Sequence, residues 1–257
     1  MRIALGVEYE GGGFHGWQSQ RDRGGVQDHL EAALAQVAAH PVTVVGAGRT
    51  DAGVHASAQV AHFDTGSRRS PRSWVLGANS HLPPTASVQW ACEVTPQFHA
   101  RYSALYRRYR YTLLCRPARS ALYRDRAWWL HQRVDPSRLA AAASLLLGER
   151  DFSAFRAAAC QAKRPWRHLQ RVAVRADGEF VHLEFTANAF LHHMVRNVVG
   201  SLVRVATGEA EPGWIREVLA SGDRRRAGMT APAQGLTLIE VAYADHWGVP
   251  PAGASTR

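Results

Sequence analysis

QRVAVRADGEFVHLEFT, residues 170–186, reads as two strands and a turn. Val172 and Val174 recur at two-residue spacing between Arg171 and Arg175, and Val181, Leu183 and Phe185 alternate with His182 and Glu184. That is the two-residue period of strands with one buried face. Asp177-Gly178 between them is a hairpin signal, because both residue types tolerate the left-handed backbone of a tight antiparallel turn. Outward from this hairpin the period changes. From about Ala189, the residues Leu191, Met194, Val195, Val198, Leu202 and Val203 recur at helical spacing. A shorter helix is expected from Trp214 to Ala220, then a last strand in GLTLIEVAY, residues 235–243. Upstream, RRYRYTLL (107–114) reads as a strand, and Asp135-Pro136 opens a helix that runs through Leu147. The order in this half is β-α-β-β-α-β.

The first half repeats it. MRIALGVEY alternates Ile3, Leu5, Val7 and Tyr9 as a strand. Residues 26–38 place Val26, Leu30, Leu34 and Val37 on one helical face. PVTVVG (41–46) and residues 58–64 read as strands. Ser70-Pro71 is a helix start, with a capping hydroxyl and then a proline in the first turn. SVQWACEV (87–94) closes the run. The fold class expected is α+β, with two ferredoxin-like halves, residues 1–104 and 105–247. Their sheets are expected to join into one large, mostly antiparallel sheet, with helices on one side and a central cleft. The Pro-, Gly- and Ser-rich tail, 248–257, is expected to be flexible.

The chain has 257 residues and 46% hydrophobic content, which excludes a disordered or fibrous protein. Its three cysteines, Cys92, Cys115 and Cys160, are widely spaced with no CxxC, against both a disulfide framework and a structural zinc. The opening MRIALGVEYE lacks a long apolar run, so no secretory signal is expected, and no membrane contact. A cytoplasmic protein is the expectation. Lys+Arg number 31 against 21 Asp+Glu, a net charge of +10. Lys163 is the only lysine, and arginine is the side chain that grips phosphate in a fork and stacks on bases. Residues 1–104 are neutral overall, whereas 107–126 hold seven arginines and one acid, and 163–175 hold five basic residues and none. Tyr106, Tyr109, Tyr111, Trp128, Trp129 and Trp166 are interleaved with these charges. Such a mixture suits a polyanion with exposed bases, or an ordinary solvated basic face.

Between two expected strands lies VVGAGRTDAGVHA, residues 44–56. Gly46, Gly48 and Gly53 permit tight turns that hold Arg49, Thr50 and Asp51 out on a loop. An arginine two residues before an aspartate sets a phosphate-gripping group beside a carboxylate, which can serve as nucleophile or general base. A plain turn in which Asp51 caps a local N–H has the same spacing. His192 and His193 are adjacent on the expected helix, so they point about 100° apart and do not chelate as an i,i+4 pair does. No metal site is expected.

GRTDAGVHA resembles the catalytic motif of the tRNA pseudouridine synthase A family. GVEYEGGGFHGWQSQ (6–20), FHARYSALYRRYRYTL (98–113), DFSAFRAAAC (151–160), NAFLHHMVRNVVGSL (188–202) and APAQGLTL (231–238) are similar to further blocks of that family, in the same order, up to about residue 247. The resemblance implies isomerisation of uridine to pseudouridine at positions 38, 39 and 40 of the tRNA anticodon stem-loop, without a cofactor. It implies that Asp51 is the catalytic carboxylate, carried by the first half, and that Arg196 pairs with it. It assigns Tyr109 to stacking on the target uracil, Arg49 to the RNA side of the loop, and Leu238 to the uracil pocket. It also implies a homodimer, with the basic second half binding RNA. Alternation along the strand puts Tyr111 on the same face as Tyr109, and periodicity alone suits Arg196 as a solvated helical residue and Leu238 as core. Two other readings compete. One is a non-catalytic RNA-binding protein with paired RRM-like domains. The other is a carboxylate-dependent nucleoside hydrolase, which has no use for a large basic face.

Overall fold

The computed structural model describes residues 1–254, with ten strands and five α-helices among them. The fold is α+β. In chain order the elements are β1 (Arg2–Tyr9), α1 (Val26–Ala38), β2 (Val45–Gly46), β3 (His55–Asp64), α2 (Pro71–His81), β4 (Ala86–Val94) and β5 (Ala104–Cys115). They continue with β6 (Trp128–Leu130), α3 (Pro136–Ser144), β7 (Gly148–Asp151), β8 (Trp166–Asp177) and β9 (Phe180–Ala187). The last are α4 (Met194–Ala206), α5 (Trp214–Ser221) and β10 (Leu236–Tyr243). Two compact units are present: Met1–Arg107 with the chain from Thr237 onward, and Arg108–Leu236.

The first unit has the expected β-α-β-β-α-β order. β1 lies between β3 and β4 and is antiparallel to both, while β2 pairs with β3. Leu5 of β1, Leu30 and Leu34 of α1, Phe63 of β3 and Trp74 of α2 are fully buried. Each such side chain contributes about 1.5–3 kcal/mol relative to exposure. The α2 start is as the sequence predicts: Ser70 Oγ accepts from Ser73 N at 3.1 Å, and Pro71 occupies the first turn. The strand expected at 41–46 shrinks to the two residues of β2. β3 begins earlier than expected, at His55, because β10 runs parallel to it with Thr237 opposite His55 and Leu238 opposite Ala56. That pairing also moves the boundary. The final strand groups from Thr237 with the first unit instead of closing the second, and the division near residue 104 falls inside β5. Residues 255–257 of the tail lie outside the described residues.

In the second unit the strand order is β5-β9-β8-β7, with β6 parallel to β5. β8 and β9 form the expected hairpin, Asp177 opposite Phe180, with Gly178 at φ +60° in its turn. Tyr111, Leu113, Leu114, Phe152, Phe155 and Phe185 are fully buried here. Asp135 caps α3 through bonds from Ser137 N and Arg138 N, at 2.8 and 3.3 Å. α3 stops at Ser144, short of Leu147. α4 starts at Met194 and not near Ala189, because His193 has φ +61°, a left-handed conformation that no α-helix continues through. β6 and β7 were not legible: three and four residues are too short to show a period.

Candidate active site

In the first unit, Asp51 sits on the loop between β2 and β3, and that loop is tied down on every side. Ala47 N donates to Val60 O at 2.7 Å, and Trp17 N to Thr50 O at 3.0 Å. The side chain of Gln59, fully buried, donates from Nε2 to Gly48 O at 2.8 Å. Thr50 Oγ1 and the Tyr9 hydroxyl share a buried bond of 2.8 Å. Burial pushes the Tyr9 phenol up to about 12, so it remains a neutral partner at physiological pH. Val54 N donates to Asp51 O at 3.1 Å, closing a turn in which Gly53 has φ +79°. Gly16, at φ +90°, lies against the same backbone: a Cβ built there stands 2.7 Å from Thr50 O and 3.1 Å from Asp51 C. The loop thus reaches its position only because residue 16 has no side chain.

From this braced backbone the Asp51 side chain emerges half-buried, and Arg49 is exposed. A carboxylate so placed is reachable by a large substrate, on a backbone that is held in place. His55, just after the loop, is buried and accepts from Gly11 N through Nδ1 at 3.0 Å. That bond occupies the Nδ1 lone pair, so the approach of Glu10 Oε1 to the same atom at 3.5 Å is a packing contact in preference to an ion pair. Arg107, at the end of the first unit, is buried and donates from one guanidinium nitrogen to Ala47 O (2.8 Å) and Arg101 O (2.5 Å). Leu238 is fully buried beside Ala56 in the parallel pair of strands.

The second unit carries Tyr109 and Arg196. Tyr109 and Tyr111 are both buried on β5, as alternation requires, but their surroundings separate them. The Tyr111 hydroxyl donates to Pro232 O at 2.8 Å, and burial pushes its ionisation far up. That phenol holds the chain at Pro232. Tyr109 instead meets Phe190 edge to face, ring centroids 5.1 Å apart. Arg196 lies in the first turn of α4, partly exposed. Its Nε donates to Ala231 O at 2.8 Å, while Ala231 N donates to Arg196 O at 3.1 Å. Arg196 is thereby fastened to the segment before β10.

Beneath it is a polar network. Asn197, fully buried, donates from Nδ2 to Phe155 O at 2.9 Å and accepts on Oδ1 from Thr230 Oγ1 (2.7 Å) and Arg224 (3.0 Å). Arg224 also donates to Gly228 O at 2.9 Å. Gly200 lets this segment touch α4, since a Cβ there would lie 1.8 Å from Met229 O. Of the residues singled out in the sequence, Arg49, Asp51 and Leu238 belong to the first unit, and Tyr109 and Arg196 to the second. Those that sequence reasoning missed, Tyr9, Gln59, Arg107, Asn197 and Arg224, support these residues from behind. The one local signal that Arg107 offered is its two-residue alternation with Tyr109 and Tyr111 in RRYRYTLL.

A family profile described as tRNA pseudouridine synthase matches residues 6–103 and 142–244. The chain is 54% identical over 252 residues to the tRNA pseudouridine synthase A of Xanthomonas euvesicatoria, covering 97% of this chain and 98% of that protein. It is 52% identical over 249 residues to the protein of the same name from Methylococcus capsulatus, covering 97% and 92%. With that of Dechloromonas aromatica it shares 53% identity over 250 residues, covering 97% and 95%.

Proposed function

Because the chain belongs to the tRNA pseudouridine synthase family, we propose that it isomerises uridine at positions 38, 39 and 40 of the tRNA anticodon stem-loop, using Asp51 and no cofactor. In this reaction the N1–C1′ bond breaks and a C5–C1′ bond forms. The C5 proton leaves and N1 gains one, so atoms and electrons balance without an oxidant. Asp51 supplies the carboxylate that assists departure of the uracil from the sugar. Arg196 is its proposed partner, holding the carboxylate in place by charge-assisted hydrogen bonding. Tyr109 stacks on the detached ring and offers a hydroxyl for proton transfer. Arg49, exposed on the same loop as Asp51, offsets part of the few kcal/mol needed to take the base out of its stack. Leu238 is assigned to the uracil pocket by resemblance alone.

The observation that carries this reading is the motif GRTDAGVHA presented on a loop braced from Tyr9, Trp17, Gln59 and Arg107, with its carboxylate half-buried. We further propose a cytoplasmic homodimer with RNA touching both subunits. No helix among the described residues is long and apolar enough to cross a membrane. The test is incubation with tRNA transcripts tritiated at uracil C5. Tritium release without added cofactor supports the proposal. Binding without release favours the RNA-binding alternative, and free uracil favours a hydrolase.

A further inference from the structure

The turn at residues 98–103 holds an aromatic ring out into solvent. Tyr102 is 76% exposed, yet the backbone beneath it is unusually constrained. His99 Nδ1 accepts from both Arg101 N and Tyr102 N at 3.2 Å. Ser103 N donates to His99 O at 2.9 Å, and His99 N donates to Ser103 Oγ at 3.0 Å. Ala100 is gripped from both sides, its N–H by His62 Nδ1 at 3.2 Å and its carbonyl by the Tyr243 hydroxyl at 2.6 Å. Phe98, fully buried, is packed under the rings of Tyr243 and Trp247. Arg2 donates to Phe98 O at 2.7 Å.

On this base, Tyr102 leans on the His99 ring, centroids 4.3 Å apart and planes 34° off parallel, and the Arg101 guanidinium lies over the Tyr102 ring, 5.6 Å from its centroid. No acidic residue occurs along the chain between Glu93 and Asp125, and the charges acting on His99 are those of Arg2, itself paired with Asp64, and Arg101. An exposed phenol gains little for folding, and the bonds below it fix the backbone that carries it. An exposed ring on a constrained backbone, with a cation over it, has the elements of a stacking platform for single-stranded nucleic acid. The platform is also linked to the loop of Asp51, since one Arg107 nitrogen holds both Arg101 O and Ala47 O.

Resting on the tRNA function proposed above, we propose that Tyr102 and Arg101 form a docking platform on which an unpaired base of the tRNA stacks, at a set offset from the Asp51 loop. Arg101 meets the phosphate beside that base. The platform anchors substrate and takes no part in bond making.

The test compares the full chain with Tyr102→Leu and Tyr102→Trp by tRNA filter binding, single-turnover tritium release at saturating enzyme, and thermal melting. Leucine keeps bulk and loses the π face, so Kd rises about tenfold. Tryptophan keeps Kd within about twofold of the parent. The saturated rate and the melting temperature stay near parental values for both. A leucine variant that binds tRNA within twofold of the parent overturns the proposal, and so does a tryptophan variant that loses as much as leucine. A second readout needs no variant. tRNA carrying 4-thiouridine in its loops, irradiated on the parent chain, is expected to crosslink within residues 99–103. Crosslinks confined to other segments refute the platform.

Discussion

Gly16→Ala probes how far the position of Asp51 depends on a residue that touches only its backbone. At φ +90° an alanine is in a region that costs an L-residue about 1–2 kcal/mol. Its Cβ would also stand 2.7 Å from Thr50 O, a carbonyl already engaged by Trp17 N. Relieving that overlap requires the loop to move by about 0.5 Å, and overpacking of this kind costs about 1–3 kcal/mol. The combined loss of about 2–5 kcal/mol corresponds to a melting temperature lower by about 4–20 °C for a chain of this length. Misplacement of a reacting group by about 1 Å costs about 100-fold in rate, so half that shift is expected to cost about tenfold. The assay is single-turnover tritium release at saturating enzyme, at a temperature where the variant is folded by circular dichroism. Gly16→Ala with the parental rate would show that the brace does not position the carboxylate, and the reasoning from loop rigidity to catalysis would be wrong.

Arg49→Ala is expected to slow single turnover at least tenfold while leaving the melting temperature within about 1–2 °C, since the side chain is exposed. A rate equal to the parent's would make Arg49 a bystander. A pH effect is expected from His62. Burial first, then the charges of Arg2 and His99, lower its ionisation from 6.5 to about 4, with Asp64 opposing. Between those values the unfolded chain takes up a proton that the native chain refuses, so this contribution is intact above pH 6.5 and is lost as pH falls toward 4. Urea unfolding of His62→Asn, whose Oδ1 can still accept from Ala100 N, is expected to show a shallower loss over that range. Equal slopes in variant and parent would remove His62 as the source.

The features legible in the sequence are those whose cause is local. Ser70-Pro71 and Asp135-Pro136 each carry their own cap, and Asp177-Gly178 marks a turn wherever it stands between alternating strands. The start of α4 was missed because the apolar spacing runs on through Leu191 while His193 leaves the helical region. The grouping of β10 with the first unit was missed because a parallel pair between Leu238 and Ala56 joins residues far apart in the chain and leaves no trace in either segment. The candidate site divides in the same way. Gly46, Gly48 and Gly53 announce a loop around Asp51, and the motif gives that aspartate its meaning. The support from Tyr9, Gln59 and Arg107 arises only after β1, β3 and β5 have folded. Two-residue alternation places Tyr109 and Tyr111 on one face, and the bond from the Tyr111 hydroxyl to Pro232 O is not visible in that alternation.

Asp51→Asn, compared with the parent on the same tritiated tRNA, bears most directly on the claim that a single carboxylate carries the chemistry. The substitution preserves size, and the main-chain bonds at Trp17, Gln59 and Val54 do not involve the side chain of residue 51. The variant should melt with the parent, bind tRNA with a Kd within about threefold, and release no tritium above background. Sustained release by clean Asp51→Asn protein would contradict the account.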